Sequence, residues 1–125
     1  MVTLLQQART ALAEADWELD PGEKFSHAYL AALRAGAAML ALRGRPHRGR
    51  ARPTSVWVLL TSVAPELSEW AKFFAAGSST RAAVQAGITR QVSQCCADDL
   101  ARQAAQFLAI VERAMREDRR ERILR

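Results

Sequence analysis

The chain has 125 residues, with 18 Lys plus Arg against 13 Asp plus Glu and a net charge of +5. A chain this long fits one domain, residues 1–125, and buries roughly two-thirds of the surface it exposes when unfolded, enough for a core without metal or disulfide staples. Half of the residues are hydrophobic, which excludes a disordered chain. The opening MVTLLQQARTALAEAD lacks the basic and apolar parts of a signal peptide. No stretch reaches the ~18 uninterrupted apolar residues of a membrane span, so no membrane association is expected. Cys95 and Cys96 are neighbours and badly placed to bridge each other, which suits a reducing cytoplasm.

The first element is an Ala/Leu-rich helix over about residues 3–17, capped by Thr3, with Leu5, Ala8, Leu12, Ala15 and Leu19 on one stripe. Asp20-Pro21-Gly22-Glu23 then opens a second helix. Asp20 can accept free backbone N–H groups, Pro21 suits the first helical position, and Glu23 stands where a capping box needs it. This helix runs through Leu42 with the small residues Ala28, Ala32, Ala35 and Gly36 along it, an invitation to close helix packing.

Residues 43–54 are punctuated by Gly44, Pro46, Gly49 and Pro53 and read as a solvated loop. Arg43, Arg45, Arg48, Arg50 and Arg52 lie in it with no acid, and the rest of the chain is balanced, so the whole charge excess sits here.

Ser55–Gly77 carries Trp57, Trp70, Phe73 and Phe74 and is split by Pro65. Its aromatic surface needs covering by other helices, so it reads as the element around which the bundle is organised. Val56–Leu60 is apolar all round, as in a buried helix, and Pro65 kinks the helix or starts a new one. Gly77 closes the segment, read here as a left-handed helix stop. A short helix over about residues 79–86 ends before Gly87. A long last helix covers roughly residues 93–120, and the mixed-charge tail at about 117–125 is expected to fray. No strand-like alternation occurs, so the fold class is all-α, a compact bundle of four to five helices.

Three stretches carry a family resemblance: ADWELDPGEKFSHAYLAALRAGAAML, SVWVLLTSVAPELSEWAKFFAAG and ADDLARQAAQFLAIVE. In this order and with these loops, the chain resembles the HEPN superfamily, in particular a small actinobacterial branch of it. The resemblance implies a helical bundle and frequent dimers. Many members are metal-independent RNases; others are non-catalytic antitoxin-like, nucleotide-binding or interaction modules. The RNase members carry an Arg, then four to six intervening residues, then a His, where the His moves a proton at the ribose 2′-hydroxyl and the Arg steadies phosphate charge. Here the Arg would stand at 42, 41 or 40 for His47, and at 22, 21 or 20 for His27. Those positions hold Leu42, Ala41, Leu40, Gly22, Pro21 and Asp20.

No catalytic residue, cofactor or metal site is therefore assigned. His27 reads as a half-buried polar side chain, His47 as part of the basic loop, and Asp98 and Asp99 as acids of a helix start. Cys95 and Cys96 lack both the spacing and the further ligands of a metal site. The candidate site is the arginine loop, Arg43, Arg45, Arg48, Arg50 and Arg52, which can meet successive phosphates of a nucleic acid or nucleotide. It holds no aromatic ring for base stacking. The expected function is a non-catalytic HEPN-type binding module. The alternatives are a dimeric protein-interaction module, its apolar Val56–Leu60 packing across a homodimer or against a protein partner, and last a diverged RNase.

Overall fold

A computed structural model describes residues 3–44 and 55–124. These contain six α-helices and one 3₁₀ turn, without a strand among them. The all-α reading holds. Helix α1 spans Leu4–Trp17 and starts with a capping box, Thr3 Oγ1 accepting the Gln6 N–H at 3.1 Å while Gln6 Oε1 accepts the Thr3 N–H at 2.8 Å. Helix α2 spans Pro21–Arg43, and Asp20 accepts the Glu23 N–H at 2.9 Å, as the Asp-Pro-Gly-Glu run requires. Helix α3, Val56–Val63, is capped by Ser55. Ala64 then leaves helical geometry, Pro65–Leu67 forms the 3₁₀ turn, and α4 (Ser68–Ala76) follows. Proline 65 thus starts a turn and does not merely bend one helix. Helices α5 (Ser78–Gln85) and α6 (Gln94–Leu124) complete the chain.

The organising element is α2, not the Ser55–Gly77 segment. Helix α2 packs against α1, α3, α5 and α6. Its small residues make this possible: Ala28, Ala31, Ala32, Ala35 and Gly36 are buried, and a Cβ on Gly36 would lie 2.9 Å from Val56 Cγ1. Helix α2 has the length and apolarity to cross a membrane, but more than half of that stretch is buried against its neighbours.

Of the aromatic residues of Ser55–Gly77, Trp57 and Phe74 lie in the core, Trp70 packs against it and Phe73 is 41% exposed; the buried rings converge on Tyr29 of α2. Trp57 stacks on Phe74 at 5.1 Å and meets Tyr29 edge-on at 6.2 Å, while Phe74 and Phe107 approach to 5.3 Å. The Trp57 indole N–H donates to the Tyr29 hydroxyl (3.0 Å), and that hydroxyl donates to the Phe74 carbonyl (2.8 Å). The polar atoms that aromatic burial brings inside are thereby satisfied.

Four local expectations are corrected. Leu19 is 90% exposed and off the α1 stripe, because α1 ends at Trp17. Val58 is 61% exposed, and only Trp57 and Leu60 of Val56–Leu60 are buried, because α3 is covered on one side by α2 and α4. Gly77 has φ −86° and is right-handed, a conformation any residue adopts; the left-handed stop falls at Gly87, φ +86°. Helix α6 runs to Leu124 and not only to about residue 120, with an Asp118–Arg122 pair (3.1 Å) across one of its last turns.

Candidate polyanion-binding end of the bundle

The direction of the helices decides which charges meet. Lys24, near the start of α2, pairs with Asp98, near the start of α6, at 2.9 Å. Near the other end, Met39, Leu42 and Arg43 border the same hollow as Ala114 and Glu117 of α6. Helices α2 and α6 therefore run parallel, and α1 runs against both, with Arg9 bonded to Glu112 at 2.7 Å. The C-terminal ends of α2 and α6 come out on the same side of the bundle.

The arginine-rich segment leaves from that side. Arg43 is the last residue of α2, and Gly44 follows it with φ +82°, a turn that glycine adopts without strain. Arg45, Arg48, Arg50 and Arg52 lie outside the described residues. Arg43 itself belongs to the helix and not to the loop, and its guanidinium is engaged. It forms an ion pair with Glu66 and donates to the Val63 carbonyl at 3.2 Å, tying α2 to the α3–α4 turn. The same pair, through its hydrogen bond, holds the Glu66 carboxyl below the usual range. Arg43 is thus a clamp, and the free arginines are elsewhere.

The sequence reading of the site missed a second set, on α6. Arg113, Arg116, Arg119 and Arg120 are exposed and make no ion pair among the described residues, whereas Arg122 is held by Asp118. A signal was present: six arginines fall in the last thirteen residues. Read alone, they looked like ordinary helix C-terminal cations. Between α1, α2 and α6 lies a groove of about 510 Å³, floored by Leu4, Leu42 and Met115 and edged by Arg9, Arg119 and Arg122. No aromatic ring is among the residues that line it.

The other sequence candidates are spoken for. Asp98 is bonded to Lys24 and Gln94, which lower its pKa, and Asp99 is paired with Arg102. Cys95 and Cys96 are free thiols, and Trp57 and Phe74 are core. His27 is partly exposed, with Glu18 Oε2 at 4.0 Å from its Nε2.

The comparison with known families agrees with this architecture. Residues 15–112 match the SAV_6107-like HEPN family. The chain belongs to that HEPN family. No curated protein and no solved structure matches it. The matched span of this HEPN protein stops at residue 112, before Arg113, Arg116, Arg119, Arg120 and Arg122 of α6.

Proposed function

We propose that this HEPN protein is a non-catalytic module that binds a polyanion, nucleic acid or nucleotide, at the end of the bundle where α2 and α6 finish. One observation carries the reading. Parallel α2 and α6 bring the anchor of the arginine-rich segment and the four unpaired arginines of α6 to one side of the molecule. Two basic stretches that are far apart in the chain then act as one field, and clustered arginines bind phosphates through charge and bidentate hydrogen bonds. Neither histidine has an Arg at the spacing of the RNase members. Purified protein is expected to leave single-stranded RNA intact; cleavage lost in a folded His27→Ala variant would overturn the non-catalytic part of the reading.

The binding test uses two variants measured by fluorescence anisotropy with a single-stranded oligonucleotide across a salt series. Arg45, Arg48, Arg50 and Arg52→Gln removes four charges, taking +5 to +1. Arg113, Arg116, Arg119 and Arg120→Gln removes four from α6. Each is expected to weaken binding whatever the base sequence and to flatten the slope of log affinity against log salt, by up to about 0.7–0.9 per lost contact. Full affinity and slope in both variants would refute the reading.

A second reading, protein interaction, is favoured by one observation at the opposite end of α2. Trp17 and Leu19 are 86% and 90% exposed, on either side of Glu18. Exposed apolar side chains of this size commonly mark contact surfaces. A salt-insensitive complex lost in Trp17→Ala would support it.

A further inference from the structure

The turn between α1 and α2 reverses the electrostatics of the rest of the chain. From Asp16 to Lys24 it carries Asp16, Glu18, Asp20 and Glu23 against Lys24 alone, in a protein of net charge +5. Lys24 is already paired with Asp98 and Asp20 is engaged in capping α2. Asp16, Glu18 and Glu23 remain, and of these Glu18 and Glu23 turn toward His27.

The geometry is set by two elements. Glu23 and His27 are four residues apart on α2, so they share one face of the helix. Glu18 is the first residue past α1, its backbone extended at φ −80°, ψ 126° and its N–H held by the Ala15 carbonyl at 3.2 Å. This brings its carboxylate back over the start of α2. One ligand atom from each of Glu18, Glu23 and His27 lies within 4.8 Å of the other two.

We propose that Glu18, Glu23 and His27 form a binding site for a zinc-like divalent transition-metal ion. The donor set is one imidazole nitrogen and two carboxylate oxygens. A histidine within reach of both carboxylates sets it apart from a patch of surface acids. Imidazole suits zinc and its neighbours, whereas calcium and magnesium take oxygen donors. Bonds of roughly 2.0–2.1 Å to a tetrahedral ion place neighbouring ligand atoms about 3.3 Å apart. The observed 4.0 Å between His27 Nε2 and Glu18 Oε2 is within an ångström of that. The side chains are 28% and 34% exposed, so rotation can close the gap without disturbing the core. Three protein ligands leave a position open for water or for a donor from another molecule. Because the ligands come from both sides of the turn, bound metal would staple α1 to α2, and the exposed Trp17 beside Glu18 would report it.

The test is titration of tag-free, full-length, metal-stripped protein with zinc chloride, followed by calorimetry, tryptophan fluorescence and melting temperature. The expected result is one zinc per chain, a fluorescence change with the same midpoint, and a melting temperature that rises with zinc concentration. Glu18→Gln and His27→Gln should each weaken binding at least tenfold, Cys95→Ser/Cys96→Ser should leave it unchanged, and millimolar magnesium should not compete. The proposal fails if zinc does not bind, if binding survives in both single variants, if it follows the cysteines, or if magnesium displaces zinc. Circular dichroism of each variant separates loss of the site from loss of the fold.

Discussion

At the start of α2, four acids lie within eight residues, Asp16 to Glu23; at its end, every charged residue from Arg43 to Arg52 is an arginine. The helix between has 23 residues and holds the two ends about 34 Å apart at 1.5 Å per residue. Part of this polarity serves the helix itself, since acids at an N-terminus and cations at a C-terminus each stabilise by about 0.3–1 kcal/mol. The difference lies in what remains after that. At the start, the surplus converges: two carboxylates and an imidazole share one small volume. At the end, Arg43 is clamped by Glu66 and Arg122 by Asp118, while Arg113, Arg116, Arg119 and Arg120 are exposed and make no ion pair among the described residues. Converging donors suit a small cation, and spread cations suit a long anion.

The comparison breaks most severely if the spacer is lost. Trp57→Ala removes a buried ring that stacks on Phe74 and donates to Tyr29, and is expected to cost about 3–5 kcal/mol in urea unfolding. Properties of both ends should then disappear together; a cost below about 0.5 kcal/mol would place Trp57 outside the core.

A sharper cut leaves the fold alone. Combining the loop and α6 arginine variants is expected to lower oligonucleotide affinity further than either alone, while Glu18→Gln should leave oligonucleotide binding unchanged. A Glu18→Gln protein with altered affinity would show that the ends are not independent.

Tyr29, midway between the ends, gives a pH signature. Burial pushes its phenol above the ordinary value, outweighing the Trp57 hydrogen bond and nearby Arg81, which lower it. A raised folded pKa means stability that is fully present below the unfolded value, about 10, and is lost as pH rises through the folded one. Thermal melts from pH 8 to pH 11 should show this loss. Tyr29→Phe should flatten it while costing about 1–3 kcal/mol at pH 7, because the Trp57 N–H loses its acceptor, while the Phe74 carbonyl keeps the Gly77 N–H.

The smallest effect belongs to the Arg43 clamp. Glu66 is lowered by its hydrogen bond to Arg43, so its contribution is present above the ordinary carboxyl range and lost as pH falls through the folded value. Both side chains are well exposed, and Glu66→Gln is expected to cost less than about 1 kcal/mol at pH 7. Acid melts of the variant against the parent should converge at low pH.

Helix starts were legible in the chain. Thr3, Asp20 and Ser55 announce helix starts because a cap involves only residues three apart, and Pro65 must interrupt a helix wherever it stands. The all-α class follows from periodicity, and the HEPN family from ordered stretches that match it. Relations between distant residues were not legible. That α2 rather than the aromatic segment sits at the centre depends on small side chains admitting four neighbours, a property of packing and not of hydrophobicity. The parallel course of α2 and α6, which adds the α6 arginines to those after Arg43, depends on how the long connections fold back. Glu18 reaches His27 because α1 stops one residue before it, and a change of one residue at a helix end turns a side chain from one face to another. Sequence encodes short-range hydrogen bonding directly. The meeting of distant charges follows from the packing of the whole core.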